Sequence, residues 1–384
     1  MWISGSNISK EDFLSQVWRQ KAHDFGTHTS LERACSTLSS DLSTKALLGL
    51  CKNELIESRL INGVDLTLEL GPFELAQLPE NQMLMIQSLE SHIASISEFI
   101  GLQFSFLPRW RIDDVMATYA NGGSSCGPHF DHYDVFLIQI RGEKRWQLDD
   151  GQHVDNDLNA TSEIKLLDNF KATSECIQKT GDILYIPPKV GHWGIASEDC
   201  LTLSVGIRNP TFQEMISHFA DLIGDQISEV QTMDDSLSMI DNGIDKQGTD
   251  LIAEQMASNL LQPSLTRQWF GRYMTELREP ELSKIPNNSV TIDQVKGILK
   301  QAQPIQVQLS SRIAYQELTD ELLVFFNGDY HIEDISSLTW IRHLEQHREV
   351  EPSLIQLDAG NLLLLQILFN KGVLELPRSE LRII

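Results

Sequence analysis

Two histidines and one aspartate have the side chains and the spacing of a metal site. His129 and Asp131 lie two residues apart in the stretch Gly-Pro-His-Phe-Asp, and on a strand both side chains would leave the same face. His192 follows a Gly-Asp turn, a short strand and two prolines, so we expect a loop to deliver it as the third ligand. Two histidines and a carboxylate leave coordination positions open, which suits non-haem Fe(II) with a bidentate cosubstrate and O₂. The pattern predicts an oxygenase-type iron site.

Lys144 offers the positive charge that such a cosubstrate needs. It lies 13 residues after Asp131, which is enough for the chain to turn and return on the next strand. There its ammonium can pair with the distal carboxylate of 2-oxoglutarate. Arg145 is expected on the opposite face of that strand. The alternative interpretation of Lys144 is a solvated lysine at the end of a strand.

Short β-rich segments separated by turns surround these residues. The predicted strands are 115–119, 135–140, 145–148, 183–186 and 201–207. Many short strands with no repeating helices between them favour a mainly β core, an all-β barrel or jelly roll, over a parallel α/β sheet. Before this core we expect a helix over 10–19, a polar loop at 26–28 and a helical stretch over 83–100.

The chain becomes helical after Pro210. One apolar stripe runs along the first helix, at positions 212, 215, 216, 219, 222 and 223. Such a stripe fits either a dimer interface or a core within one chain. The predicted domains are a β domain over 1–209 with its lead-in, a helical region over 210–281, and a further domain over 282–384.

The last domain has the element order of a winged helix. A helix near 292–299, strands at 305–308 and 322–326, an Asn-Gly hairpin turn, two helices and a short final strand follow one another. Winged helices often read DNA, but residues 281–384 hold nine Lys or Arg against 14 Asp or Glu. Because DNA binding requires a basic face, we expect no direct DNA binding and favour a structural or protein-docking role.

Charge and composition exclude several classes of protein. The 384 residues carry a net charge of −24, with 30 Lys and Arg against 54 Asp and Glu. Such a surface repels nucleic acid and anionic membranes and attracts a basic partner. The five cysteines show no metal or redox spacing, and neither a signal peptide nor a 20-residue apolar span is evident. We expect a cytoplasmic protein with no membrane association.

Several separate motifs together resemble those of one enzyme family. The chain is similar to the bacterial JmjC-type ribosomal oxygenases of the cupin-4 family, in particular to members that hydroxylate arginine on a large-subunit ribosomal protein. The similar segments are 12–18, 71–74, 110–114, 129–136, 181–192 and 204–208. The tryptophan at position 18 is followed by Lys-Ala-His without the proline that the family usually has nearby, which affects fold detail rather than chemistry.

The resemblance implies a fold, cofactors and site residues. It implies a double-stranded β-helix, Fe(II) held by His129, Asp131 and His192, and 2-oxoglutarate and O₂ as cosubstrates with Lys144 at the distal carboxylate. It also implies a homodimer formed through the helical region. The basic substrate would be a large-subunit ribosomal protein.

Three further residues match the positions where arginine-specific members hold the substrate side chain. These residues are Asp114, Tyr133 and Ser204. A guanidinium that enters an apolar barrel needs a carboxylate and hydrogen-bond acceptors to offset its desolvation, and this set suits arginine better than histidine.

Three alternatives stay open on the sequence alone. The first is hydroxylation of a ribosomal histidine or, more distantly, lysine demethylation. The second is a cupin-like metal protein that is not an oxygenase, such as a Zn²⁺ protein or a hydrolase. The third is a non-catalytic acidic adaptor that docks onto ribosomal proteins, against which Lys144 and the complete metal triad argue.

Overall fold

The computed structural model describes residues 3, 6–27, 29–160, 163–226, 249–250, 252–254, 256–257, 262–283 and 285–375. The strands of its first half are β1 (His23–Thr27), β2 (Ser58–Asn62), β3 (Leu68–Leu70), β4 (Gln82–Ile86), β5 (Ile112–Ala120), β6 (Asp134–Arg141), β7 (Lys144–Asp149), β8 (Ser174–Gln178), β9 (Asp182–Ile186), β10 (Gly191–Ala196) and β11 (Cys200–Ile207). They form an eight-stranded sheet in the order β1-β9-β6-β11-β5-β4-β2-β3 and a three-stranded sheet in the order β10-β7-β8. All of these strand pairs are antiparallel.

The two sheets pack face to face as a β-sandwich of the jelly-roll type. Strand β6 shows how the sequence builds this arrangement, because side chains alternate between the two faces of a strand. Val135 and Leu137 face the three-stranded sheet and pack with Trp146 and Leu148 of β7. The intervening Phe136 faces the other way, into the main hydrophobic core. The predicted mainly β core is confirmed.

Helices cover the outer face of the large sheet. They are α1 (Lys10–Gln16), α2 (Thr29–Asp41), α3 (Thr44–Leu50), α4 (Leu89–His92) and α5 (Ala94–Gln103). Leu38, Leu47 and Phe99 from three of these helices share a buried cluster with Phe136 and Leu203 of the sheet. Burial of this second face explains why the sheet strands read as continuous apolar runs rather than as alternating ones.

Two predictions about the lead-in were wrong. The stretch 83–100 is not one helix, because residues Gln82–Ile86 form β4, which pairs with β2 and β5, and the helices α4 and α5 follow it. The expected polar loop at 26–28 is partly the end of β1, which pairs with β9, while His28 lies outside the described residues. Short apolar runs do not distinguish a helix from a buried strand, since both bury every side chain.

After the β-sandwich come the helices α6 (Phe212–Gln226) and α7 (Pro263–Thr275). Met215, Phe219 and Leu222 of α6 pack against Trp269 and Tyr273 of α7, so part of the predicted apolar stripe serves a core within the chain. In contrast, Phe212 and Ile216 of the same stripe are exposed. The acidic stretch between the helices, residues 227–248, lies outside the described residues.

The C-terminal unit has its own buried core. Its elements are α8 (Ile292–Lys300), β12 (Ile305–Val307), β13 (Ile313–Glu317), β14 (Glu321–Phe326), β15 (Asp329–Asp334), α9 (Leu338–His347), β16 (Glu349–Val350), α10 (Ala359–Asn370) and β17 (Leu374–Glu375). Asn327 and Gly328 make the predicted turn between β14 and β15, both with positive φ, as a tight hairpin requires. The predicted element order is therefore observed, with β13 and β15 added as the partners of β14.

Candidate functional site

The three predicted metal ligands come together where the two sheets meet. His129 and Asp131 lie in the segment between β5 and β6, and His192 lies in β10. The backbones of the two histidines are joined directly, because His129 N–H donates to His192 O at 3.0 Å and His192 N–H donates to His129 O at 2.8 Å. The separation of the two imidazoles is thus set by main-chain hydrogen bonds.

Two details of the prediction were wrong here. The His-Phe-Asp segment is not part of a regular strand: only a single bridge, between His129 and His192, ties it to the sheet. His192, expected on a loop, belongs to a strand that pairs along its whole length with β7. Lys189 has positive φ and donates its N–H to the Asp131 carbonyl at 2.8 Å, so the chain after the two prolines turns tightly and re-enters the sheet sooner than its proline and glycine residues suggested.

Hydrogen bonds orient both imidazoles in the same manner. The Nδ1–H of His129 donates to Gly127 O at 3.0 Å, and the Nδ1–H of His192 donates to Val190 O at 3.1 Å. Each ring therefore turns its Nε2 away from the backbone and toward the shared space. A metal-ligating histidine is usually fixed in this way by a partner on its other ring nitrogen.

The ligand atoms are close enough to share one ion. One ligand atom from each of His129, Asp131 and His192 lies within 4.8 Å of the other two, and they are the one His/Cys/Asp/Glu group with this property among the residues that the structure describes. His192 Nε2 is 3.6 Å from Asp131 Oδ2, and the two imidazole centroids are 4.2 Å apart.

Protonation of the two histidines differs because their surroundings differ. Burial, helped by the charge of His129, lowers the pKa of His192 to about 4, so this imidazole is neutral and available as a ligand. Burial also opposes the charged form of His129, but Cys126 and Asp131 outweigh it and raise the pKa of His129 to about 9. A cation held between Asp131 and the two rings would take the place of that proton.

A cavity of about 590 Å³ opens in front of the cluster, and Lys144 lies in its wall. Lys144 is only 3% exposed, and its Nζ lies 4.6 Å from the ring centroid of Trp146. Its neighbour Arg145 is exposed on the opposite face and lies 3.7 Å from Glu175. The alternative of a solvated strand-end lysine is therefore wrong, because this ammonium faces the same cavity as the metal ligands.

Gly194 makes room for this ammonium, and sequence reasoning missed it. Gly194 lies in β10 opposite Trp146 of β7. It is two residues after His192 and two residues before Ala196, which pairs with Lys144. A Cβ atom on Gly194 would come within 2.6 Å of the Trp146 ring and 2.7 Å of Lys144 Cε. Only glycine lets both side chains cross β10 at this point, and no local sequence signal marks a close approach of this kind.

The three predicted substrate residues line the same cavity. Asp114 comes from β5, Ser204 from β11, and Tyr133 from the segment that carries the metal ligands. Ser204 is placed by pairing of β11 with Met116 of β5 on one side and Leu137 of β6 on the other. Tyr133 is 42% exposed, and the Asp131 carboxylate and burial raise its pKa, so it keeps its O–H as a donor.

Asp114 belongs to an acidic corner that already contacts a guanidinium. Arg278, which follows α7, places its Nη1 at 3.5 Å from Asp114 Oδ2 and 4.0 Å from Asp113, and its Nη2 at 3.9 Å from Glu57. Arg278 also donates to the Gln87 side chain. Nothing in the sequence near Arg278 predicts this role, because its partners lie far away along the chain.

Comparison with known proteins identifies the family of both the β-sandwich and the C-terminal unit. The description "JmjC domain" matches residues 100–215, and "ROXA-like winged helix" matches residues 253–373. The chain is 30% identical over 302 residues to the ribosomal protein uL16 3-hydroxylase of Escherichia coli strain K12, which covers 76% of this chain and 78% of that protein. The chain belongs to the JmjC ribosomal oxygenase family. All seven predicted site residues lie within the JmjC match, whereas Arg278 lies within the winged-helix match.

Solved structures of the family share the whole fold. The X-ray structure of E. coli YcfD superposes with a TM-score of 0.84 at 25% identity and covers 97% of this chain and 99% of that one. The structure of YcfD, a ribosomal oxygenase from E. coli, in complex with cobalt and 2-oxoglutarate has a TM-score of 0.81 at 26% identity, with coverages of 97% and 99%. The JmjC β-sandwich followed by a winged helix is therefore the fold of the family as well as of this chain.

Proposed function

We propose that this protein is an Fe(II)- and 2-oxoglutarate-dependent dioxygenase that hydroxylates an arginine side chain of the large-subunit ribosomal protein uL16. The observation that carries the proposal is the meeting of His129, Asp131 and His192 at the end of a cavity that also contains the buried Lys144. The E. coli relative is named as a uL16 3-hydroxylase. We propose uL16 as the substrate protein because of this relative. We propose arginine as the target residue because of the acidic corner around Asp114.

The three ligands fit a divalent first-row metal. Two neutral imidazole Nε2 atoms and one carboxylate are the facial set of non-haem iron oxygenases. When bound there, Fe(II) with 2-oxoglutarate and O₂ supplies the oxidant for hydroxylation of an unactivated C–H bond. The carbonyls of Gly127 and Val190 hold the two rings with Nε2 turned toward the metal position before any metal arrives, and metal binding would displace the proton from His129.

Lys144 would bind the distal carboxylate of 2-oxoglutarate. Its ammonium is removed from solvent, so an ion pair with a carboxylate is much less screened than it would be at the surface. Trp146 lies under the ammonium and covers this end of the cavity. Cosubstrate held at Lys144 and at the metal would be fixed at both ends, which sets the direction from which substrate enters.

Asp114, Tyr133 and Ser204 would hold the substrate side chain. Burial raises the pKa of Asp114, and the charge of Arg278 counteracts this, so a guanidinium stabilises its ionised form. The contact between Arg278 and Asp114 supports the view that this corner favours a planar cation. Neutral histidine would offer Asp114 no charge. Position relative to the metal, rather than acidity, would then select the carbon that reacts.

Mass spectrometry of uL16 tests the proposal. Large ribosomal subunits from cells that lack the protein would be incubated with purified enzyme, Fe(II), 2-oxoglutarate and O₂. We expect a gain of one oxygen mass on an arginine of uL16, no gain with His129→Ala, and an unchanged gain with His132→Ala, because His132 is exposed and contacts Asp155 instead of the cluster.

Other outcomes separate the alternatives. A gain on histidine would keep the oxygenase and reject the arginine assignment. Succinate release with no modified uL16 would support the proposed metal and 2-oxoglutarate and would show that the substrate is a different molecule. No 2-oxoglutarate turnover with Fe(II) at all would reject the oxygenase in favour of a different metal protein.

The proposal includes a homodimer that forms through α6, and it places the protein in the cytoplasm. Phe212 is 74% exposed and Ile216 is 55% exposed on the face of α6 that its intrachain core leaves uncovered. A second copy that covers this face would bury both side chains.

Within the described residues, every helix is too short or too polar to cross a bilayer. The acidic winged helix supports the expectation of a protein partner rather than DNA.

A further inference from the structure

A second, much smaller cavity lies where the winged helix packs against the JmjC barrel. Its volume is about 50 Å³, and its walls include Glu90, Ser97, Arg109, Ser310, Arg312 and Arg348. None of the metal ligands or predicted substrate residues lines it. One water occupies roughly 30 Å³ in the liquid, so a space of this size suits one small ion or very few waters.

The three arginines of this cavity are half-buried, and each has one fully buried side-chain nitrogen whose N–H has no protein acceptor. Arg348 Nη2 donates to the carbonyls of Gln308, Leu309 and Ser311, but its Nε–H is unpaired. Arg109 donates from both Nη atoms to Ser97, and its Nε–H is unpaired. Buried N–H donors are normally paired, because an unpaired buried donor loses its hydrogen bond to water without a replacement.

Arg312 completes the set from the winged-helix side. Its Nη2 donates to the Asp113 carbonyl and lies 3.6 Å from the Asp113 carboxylate, while its Nη1 is buried with no acceptor. Three arginines that line one small cavity thus each have an unpaired N–H donor. Together these N–H groups could donate hydrogen bonds to one anion.

The protein balances only part of the charge around the cavity, through the Asp113 carboxylate beside Arg312. Glu90 is the one carboxylate in its walls, and burial together with the nearby Asp114 raises the pKa of Glu90 to about 8. Glu90 is thus largely neutral at physiological pH. Glu345, which accepts the backbone N–H of Arg109, is itself buried, and burial raises its pKa as well. Burial and then the charge of Arg109 lower the pKa of Arg348 to about 9.

We propose that this cavity binds one small inorganic anion, chloride or a single tetrahedral oxyanion, which joins the winged helix to the JmjC barrel. Arg109 belongs to the barrel and Arg312 and Arg348 to the winged helix, so an anion between them bridges the two units. It would neutralise the repulsion among three guanidinium groups that the protein offsets only in part. The contact is structural and separate from the redox chemistry of the metal site.

Crystals of the full chain grown in sodium bromide test the proposal without any variant. We expect one anomalous peak in this cavity, within hydrogen-bond distance of at least two of the three arginines. Crystals grown in phosphate should show whether an oxyanion takes the same place. Ordinary water density in the cavity in both the bromide and the phosphate crystals would overturn the proposal.

Thermal unfolding gives a second, solution readout. At constant ionic strength, replacing gluconate by chloride or phosphate should raise Tm in a saturable manner, by RT ln(1 + [L]/Kd) in free energy. Arg348→Met should lose this rise, whereas Arg342→Met should keep it, because Arg342 is an exposed arginine of α9, the helix that ends just before Arg348, and it pairs with Glu317. If Arg348→Met fails to fold, Arg109→Gln replaces it. Equal responses of the cavity variant and the Arg342 control would show non-specific salt effects and reject the site.

Discussion

The guanidinium of Arg278 lies 3.5 Å from the carboxylate of Asp114. The corner that we propose for a substrate arginine is thus occupied by an arginine of the same chain. Glu57, Asp113 and Gln87 contact the same guanidinium, so Arg278 is held from several sides. A substrate would have to share Asp114 with Arg278 or displace it.

Removal of Arg278 should therefore tighten the binding of an arginine substrate. In Arg278→Gln, Asp114 loses its cationic partner, and we expect KM for a uL16 peptide to fall about fivefold, roughly 1 kcal/mol. The free energy of unfolding should fall by about 1–3 kcal/mol, since a partly buried charge pair is broken. Peptide kinetics and urea denaturation measure the two effects, with Arg342→Gln as the control. A rise in KM would mean that Arg278 shapes the corner for substrate instead of competing with it.

Replacement of Lys144 should weaken the binding of 2-oxoglutarate specifically. Lys144→Met keeps the aliphatic chain over Trp146 but removes the ammonium. A buried charge-assisted hydrogen bond is worth about 1.5–3 kcal/mol, so KM for 2-oxoglutarate should rise about 10- to 100-fold. Succinate formation against 2-oxoglutarate concentration gives the value. Arg145→Met, which alters the exposed neighbour on the opposite face, should leave it unchanged, and an equal effect of both variants would reject the assignment.

A methyl group at position 194 should damage the same end of the cavity by contact alone. The Cβ of Gly194→Ala would lie 2.6 Å from Trp146 and 2.7 Å from Lys144 Cε, so both side chains must move. We expect weaker 2-oxoglutarate binding, seen by calorimetry with Mn²⁺ in place of iron, and a loss of stability of about 1–3 kcal/mol. Gly297→Ala is the matched control, because a Cβ there meets nothing within 4 Å and a helical alanine is favoured. Wild-type affinity in Gly194→Ala would show that the wall is more adaptable than its packing indicates.

Glu90 should make the protein less stable as pH rises. The pKa of Glu90 is about 8 in the folded protein, above its ordinary value of 4.5. Between these two values the unfolded chain has released a proton that the folded protein retains, so the free energy of unfolding decreases with increasing pH. Glu90→Gln keeps an acceptor for the Val115 N–H and removes the titration. Urea denaturation at pH 5.5 and pH 8 should show a smaller decrease in Glu90→Gln than in the wild type or in Glu80→Gln, an exposed control. Parallel curves for all three proteins would contradict the assignment.

The metal site was readable from the sequence because its determinants are local. His129 and Asp131 are two residues apart, and Lys144 and His192 lie in short segments whose turns and prolines mark the ends of strands. The errors were errors of conformation: residues 83–86 became a strand and His192 joined a sheet edge, because strand pairing with distant partners decides between helix, loop and strand where the local pattern does not.

The residues that sequence reasoning missed are set by tertiary contacts. Arg278 reaches Asp114 across a long separation along the chain, and Gly194 matters only because Trp146 and Lys144 cross it on the next strand. The small cavity depends on arginines from the barrel and from the winged helix at once. A single sequence does not encode such proximity in any spacing or motif.

The contacts of Asp113 bear on whether the catalytic barrel is autonomous. This residue of β5 lies near three arginines, Arg208 at 3.7 Å, Arg278 at 4.0 Å and Arg312 at 3.6 Å. Two of the three belong to the chain beyond residue 209. A fragment that stopped there would contain every metal ligand, yet its substrate corner would be left with uncompensated carboxylates. The winged helix would in this sense complete the proposed substrate corner, and specificity should evolve across both units together rather than by exchange of one module for another.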